Sequence, residues 1–376
     1  MENADSDEPK RRAAPTGNEA GATLPERYTA PIRPDEQIDV AALEEYLRGR
    51  LPGTNAEFAM EQFPGGHSNL TYLLRYRDAE LVMRRPPLGP VAPKAHDMGR
   101  EYRVLSGLWR VFPPAPRPYL LCDDASVIGA PFYVMERRRG IVVRREEPAE
   151  WKGNLGIRRR VSEAMVDTLA ALHAVDYVAA NLGNLGKPEG FVERQVKGWA
   201  ERWERAKDRE VPAINELARW LAERIPRPAG AALVHGDFKL DNVMLDPRDP
   251  GRVIAVLDWE MCTLGDPLVD LGLLLCYWAE EGDPDARKES VAQITAQPGW
   301  YRRVEIAQRY AEQTGRDISR IAFYEIFALY KIAVVVQQIY IRWKRGQTQD
   351  ERFAAFAPRV EALAEEGLAL AKTSGL

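Results

Sequence analysis

The sequence predicts an α+β protein of two lobes, a small antiparallel sheet carrying one helix and then a larger, mostly helical lobe. Three observations predict it. β-Prone runs separated by turns fill residues 58–136. From residue 158 onward apolar side chains recur at helical spacing. Two short apolar runs, 231–235 and 253–258, interrupt the helical half and end in His235 and Asp258. The 376 residues are enough for two lobes with a substantial core between them.

Residues 1–30 are polar, charged and proline-bearing, without the apolar centre of a signal peptide. A disordered tail is expected there. The first lobe is expected over 31–136. Runs 71–76 and 80–84, separated by Arg77-Asp78-Ala79, read as a hairpin. Residues 99–110 read as a helix with Tyr102, Leu105 and Leu108 on one face. A proline-rich connector covers 113–118 and a further strand 131–136. An arginine-rich linker opens the second lobe, 137–376. Helices are expected over 158–175, 191–207, 268–278, 301–315, 318–343 and 351–372. Asp246-Pro247 and Pro250-Gly251 supply turns between the two short runs. Residues 321–343 are apolar enough to suggest a membrane span. The polar Glu325, Lys331, Gln337 and Gln338 inside them favour a buried helix and no membrane partner.

The net charge of -4 gives no basic field for nucleic acid. The 3 cysteines, Cys122, Cys262 and Cys276, are odd in number and far apart. They make neither a disulfide framework nor a zinc pattern, and favour a reducing cytoplasm.

The chemistry concentrates in residues 235–242, His-Gly-Asp-Phe-Lys-Leu-Asp-Asn, and in Asp258-Trp259-Glu260 after the next apolar run. Phosphoryl transfer from a magnesium nucleotide needs a carboxylate to take a hydroxyl proton and hard oxygen ligands for the metal. Asp237 is the candidate base. Asn242 offers a neutral carbonyl oxygen and Asp258 an anionic one, both suited to Mg2+. Lys239, two residues after the base, is placed to neutralise charge on the γ-phosphate of ATP. His235 is expected to brace the loop.

This set resembles the aminoglycoside phosphotransferase and choline kinase superfamily, similar in fold to protein kinases, whose catalytic loop has the same aspartate-to-asparagine spacing. Gly-Asp-Pro-Leu-Val-Asp-Leu-Gly at 265–272 and Leu-His-Ala-Val-Asp at 172–176 fit the same family. The chain looks closest to the kinase-like domains related to those fused to acyl-CoA dehydrogenases, from about residue 58 to the C-terminal helices. The resemblance implies a bilobal protein-kinase-like fold and a nucleotide site. Arg84, on the run Leu81-Val82-Met83-Arg84, would grip phosphates and pair with Glu101. Arg85 is its rival, aimed at the other face by strand alternation. Gly66, Ser68 and Asn69, in the segment Pro-Gly-Gly-His-Ser-Asn, would cover the phosphates. Met135 and Glu136 match the hinge where backbone groups bind adenine. Asp266 and Asp270 read as turn and helix caps, not metal ligands.

Two charge clusters bear on the acceptor. Arg137, Arg138, Arg139, Arg144, Arg145, Arg158, Arg159 and Arg160 form either a solvated mixed-charge linker or a patch for an anionic acceptor. The acidic stretch Glu-Glu-Gly-Asp-Pro-Asp at 280–285 would suit a cationic one. Trp278, Trp300, Tyr324, Tyr330 and Trp343 would line a pocket or fill helical core. Residues 66–70 lack the final glycine of a hydrolase elbow, and 183–188 lack the spacing of a P-loop. The expectation is an ATP- and magnesium-dependent kinase of a small-molecule hydroxyl, such as a hydroxyacyl or CoA-linked compound. Aminoglycoside O-phosphorylation and a non-catalytic nucleotide-binding module are the alternatives. A protein-serine kinase is disfavoured, because Asp-Phe-Gly and Ala-Pro-Glu segments are missing.

Overall fold

Strands at residues 59–62, 70–75 and 80–85 open a five-stranded antiparallel sheet in a computed structural model that describes residues 29–51, 53–64, 69–88, 96–290, 293–348 and 350–376. Its strands are β1 (Ala59–Gln62), β2 (Leu70–Arg75), β3 (Glu80–Arg85), β4 (Pro118–Cys122) and β5 (Phe132–Glu136), in the order β1-β2-β3-β5-β4. The β2–β3 hairpin sits where expected, with Leu73 opposite Val82. Of the expected tail, residues 1–28 lie outside the described residues. Ala30 already pairs with Gln62 of β1.

Each face of the sheet has its own cover. Helix α1 (Val40–Leu47) is capped by Asp39, which accepts from Ala42 N at 2.9 Å. Its Leu43 and Leu47 join Tyr72, Leu74, Met83, Phe132 and Val134. On the opposite face, α2 (Met98–Leu108) contributes Val104, Leu105 and Leu108 to a core with Val82, Tyr133 and Met135 that runs on into the helical half. Neither α1 nor β1 is a named element of the sequence reading. β4 replaces part of the expected connector: it starts at Pro118 on the sheet edge, where a missing N–H leaves no ladder bond broken.

The helical half contains α3 (Leu155–His173), α4 (Phe191–Ala206), α5 (Pro212–Glu223), α6 (Leu268–Tyr277), α7 (Asp285–Ser290), α8 (Arg303–Thr314), α9 (Ile321–Lys344) and α10 (Phe356–Thr373). Asn154 caps α3, three residues upstream of the expected start. α5 is an addition, though Pro212 at its first turn and Ile214, Leu217 and Leu221 inward are readable signals. Four short strands fill the interval that holds the motif: β6 (Ala232–Val234), β7 (Val243–Leu245), β8 (Val253–Val256) and β9 (Thr263–Gly265). β6 pairs with β9 and β7 with β8, so the chain before and after each functional loop is clamped.

α9 is the one described helix long and apolar enough to cross a membrane, yet 67% of its most apolar window is buried within the fold. It packs on α4, α6 and α10. Trp278, Trp300, Tyr324 and Tyr330 are core residues here, not pocket lining. The α6–α9 crossing depends on Gly272, where a Cβ would stand 2.5 Å from the Tyr324 carbonyl group. Backbone cannot give way as a side-chain tip can. Gly272→Ala is therefore expected to destabilise the protein by about 1–3 kcal/mol, read as a lower urea midpoint with unchanged m.

Candidate active site

The turn after β6, which carries Asp237, is held in place through its backbone by a residue of α6. Asp270, fully buried on α6, accepts from His235 N at 2.5 Å and Gly236 N at 2.8 Å. His173 Nε2 lies 3.3 Å from the same carboxylate. Burial works against its charge, but the donors of His173, His235 and Gly236 keep Asp270 ionised. Gly236 has φ +84, and a Cβ there would meet Met261 at 2.8 Å. His235 braces the loop as expected, its Nε2 2.9 Å from Leu257 O and its ring against Trp259. Asp266 has the expected capping role, accepting from Leu268 N, Ala229 N and Tyr324 Oη.

Asp237 is then held from three sides. Lys239 Nζ donates to Oδ2 at 2.8 Å, Asn242 Nδ2 at 3.0 Å, and Tyr277 Oη donates to Oδ1 at 3.0 Å. Asn242 Nδ2 also reaches Asp237 O at 2.9 Å. Burial lowers the basicity of Lys239, but Asp237 outweighs it and raises its pKa. Burial and the neighbouring Asp237 push Tyr277 far above the usual phenol range, so it stays a donor. Tyr277 is a site residue that sequence reasoning missed. It lies 40 residues from Asp237, at the end of a helix that reads as core. Lys331 is the other omission: its Nζ donates to Gly236 O at 2.8 Å from the middle of α9.

Opposite this loop the sheet contributes a buried ionic group. Arg84 Nη1 lies 3.0 Å from Glu101 Oε2 on α2, and its Nη2 donates to Asp258 Oδ1 at 3.0 Å. Tyr133 Oη adds a bond of 2.9 Å to Glu101. Burial would discharge the guanidinium, but Glu101, Tyr133 and Asp258 together hold it charged. Glu101 itself is 0% exposed, and burial pushes its pKa up to about 6 despite Arg84. Asp258 shifts the other way: burial raises it, and Arg84 overcomes that to keep it low. Asp258 stands at φ 66, ψ 65, a left-handed conformation that aims the residue out of the strand. Arg85 points to the opposite face, its Nη1 on Ile128 O at 3.0 Å.

Five residues are expected at the nucleotide site besides Arg84 and Glu101, and two of them, Asn69 and Glu136, are engaged inside the protein. The Asn69 side chain is buried and engaged inside the protein: Nδ2 donates to Glu101 Oε1 at 2.9 Å and Glu260 Oε2 at 3.1 Å, while Oδ1 meets His96 Nδ1. It locks the sheet to the loop after Asp258 and offers no free side-chain donor to phosphate. Glu136 has its N–H bound to Arg117 O, and its carboxylate meets Arg117 N and Arg138. That N–H is committed because strand pairing extends one residue past β4. Met135 lies within β5, opposite Val82. Gly66 and Ser68 lie outside the described residues.

The donor set fits a nucleotide and a hard cation. Arg84 Nε is buried without a hydrogen-bond partner among the described residues. Asn242 turns its nitrogen to Asp237, which leaves its carbonyl oxygen for a metal. Asp258 gives Oδ1 to Arg84 and keeps Oδ2. Two oxygen ligands from the protein suit magnesium, which completes its shell with water and phosphate.

Sheet, hinge, clamped loop and helical half define the protein-kinase-like bilobal class of fold. The chain belongs to the phosphotransferase enzyme family, whose model matches residues 59–305. It is 34% identical over 360 residues to acyl-CoA dehydrogenase family member 11 of Rattus norvegicus, covering 92% of this chain and 45% of that protein. The chain thus spans about half the length of the curated relatives it matches. A crystal structure from Ralstonia eutropha JMP134, described as a "putative aminoglycoside phosphotransferase", superposes with a TM-score of 0.77 at 33% identity. The match covers 90% of this chain and 99% of that one. A thermostable mutant of aminoglycoside phosphotransferase APH(4)-Ia, in ternary complex with ADP and hygromycin B, shares the fold. Its TM-score is 0.57 at 16% identity, covering 89% and 99% of the two chains.

The raised Glu101 has a measurable consequence. With its pKa moved from 4.5 to about 6, the folded state holds more protons than the unfolded state across that interval. Stability therefore falls as pH rises from 4.5 to about 6, by about 2 kcal/mol for this group, and is level above. Glu101→Gln removes that contribution. Urea unfolding at a series of pH values should show the wild-type-minus-variant difference dropping by that amount over the interval.

Proposed function

We propose that this chain transfers the γ-phosphoryl group of ATP to a hydroxyl of a small metabolite, in a direct in-line step that uses magnesium. The observation that carries the reading is the convergence of Asp237 and Asn242 from the loop after β6, Asp258 from the loop after β8 and Arg84 from β3. Asp237 accepts the hydroxyl proton as the new P–O bond forms, its carboxylate aimed by Lys239, Asn242 and Tyr277. Lys239 and Arg84 offset charge on the triphosphate. Asn242 and Asp258 would hold magnesium, which when bound neutralises and orients the phosphates.

For the acceptor we propose a hydroxylated acid or its thioester. Similarity to proteins named for acyl-CoA dehydrogenase supports it. The aminoglycoside alternative has the name of the Ralstonia eutropha structure in its favour. Its electrostatic support is weakened, because Glu280 and Asp283 of the acidic stretch at 280–285 are engaged internally, while Glu281 and Asp285 stay exposed. Asp283 pairs with Arg303 at 2.7 Å, and Glu280 with Arg303 at 3.3 Å. Cys122, Cys262 and Cys276 are all free and buried, which supports the cytoplasmic reading.

ATP turnover with a panel of hydroxylated acceptors tests the reaction. Asp237→Ala is expected to lower acceptor-dependent turnover by about 10²–10⁴-fold while leaving nucleotide binding in place. If no acceptor stimulates turnover although ATP binds with magnesium, a regulatory nucleotide-binding module replaces the kinase. Asp258→Ala should abolish the magnesium dependence of nucleotide binding, and retention of that dependence would overturn the ligand assignment.

A further inference from the structure

Two cations approach one indole ring close to the catalytic loop. Lys331 of α9 is partly buried, with its Nζ on Gly236 O at 2.8 Å and 5.6 Å from the centre of the Trp199 ring. Arg202, one turn along α4 from Trp199, places its guanidinium 4.5 Å from the same ring centre. Neither side chain forms a salt bridge among the described residues. The charges acting on Lys331 are Asp237 and Asp270, which attract, and Lys239 and Arg202, which repel. Both carboxylates are already engaged, Asp237 by Lys239 and Asp270 by the loop N–H groups and His173. Around Arg202 the neighbours Glu201 and Arg205 oppose each other. Trp199 Nε1 is buried with no hydrogen-bond partner among the described residues. The result is a site of excess positive charge on an aromatic wall, beside the residue next to the base.

Two cations at one aromatic ring, with no salt-bridge partner among the described residues, leave positive charge that an anionic ligand would offset. We infer that Arg202 and Lys331, on the Trp199 ring, receive an anionic group of the acceptor, a few bonds from the hydroxyl that meets Asp237. This rests on the kinase reading above and narrows it: the acceptor carries a carboxylate or a phosphate, and a polycationic acceptor is repelled. Lys331 also anchors the loop through Gly236, so Arg202 is the cleaner probe.

Protein loaded with ADP and magnesium is titrated calorimetrically with ω-hydroxyalkanoates, ω-hydroxyalkyl monophosphates of equal length, and the neutral ω-hydroxyalkanamides. Phosphoryl transfer from ATP to the same compounds and to kanamycin is measured in parallel. The wild type is expected to bind an anionic series at least about tenfold more tightly than the amides. Arg202→Gln should remove most of that difference, acting on KM and leaving nucleotide binding unchanged, and Arg202→Lys should restore part of it. The carboxylate and phosphate arms separate the two sources of charge. The proposal is overturned if acid and amide bind alike, if neither anionic series binds, if Arg202→Gln weakens charged and neutral compounds equally, or if kanamycin is preferred. Should anionic compounds bind in an Arg202-dependent way yet accept no phosphoryl group, the anion site stands and the kinase reading fails.

Discussion

A guanidinium nearly withdrawn from water governs the cleft. Arg84 comes from the sheet, Glu101 from α2 and Asp258 from the loop after β8. Arg84 supports the charge of both buried carboxylates, lowering the pKa of Glu101 and of Asp258 against their burial. Removing one partner from such a group leaves an uncompensated buried charge, typically costing about 3–5 kcal/mol. The same contacts fix where the sheet lies over the helical half. Asn69 and Glu260 extend the link, joining the start of β2 to the loop that carries Asp258. The geometry of the nucleotide side is thus a property of the network rather than of any one residue.

The acceptor side is built on a different support. Asp270 pins two consecutive N–H groups of the turn after β6, and Lys331 holds the carbonyl of Gly236. The turn is therefore held from both peptide faces before Asp237 is reached, and three further donors aim its carboxylate. A carboxylate oriented this way would need no reorganisation in the proposed transfer, which is the form of preorganisation that lowers a barrier.

Charge clusters in the sequence proved a poor guide to charge in the cleft. Most of the arginines over 137–160 are internal ties: Arg137 and Arg139 meet Glu80, Arg138 meets Glu136, Arg158 meets Glu147 and Arg160 meets Asp249. Arg144 and Arg145 are exposed. In the acidic stretch at 280–285, Glu280 and Asp283 are likewise drawn onto Arg287 and Arg303. Density along the chain says nothing of whether the partner is near in space. Arg202 and Lys331 are inconspicuous in sequence, 129 positions apart, and meet only because α4 packs on α9.

By itself the sequence determined the elements whose signals are local. The hairpin of β2 and β3 follows from alternation and a turn, most long helices follow from periodicity, and His235 to Asn242 follows from one compact motif. Arg84, Glu101, Asn242 and Asp258 were also legible, because motif and resemblance place them at set points along the chain. Tertiary structure alone decided the rest. It engaged the Asn69 side chain as an internal lock, occupied the Glu136 N–H by strand pairing, and made α1, β4 and α5 out of weakly patterned stretches. It brought Tyr277 to Asp237 and Lys331 to Gly236. Those contacts join residues far apart in the chain, and a side chain's hydrogen-bond partner is set by distance in space, which no spacing along the sequence encodes.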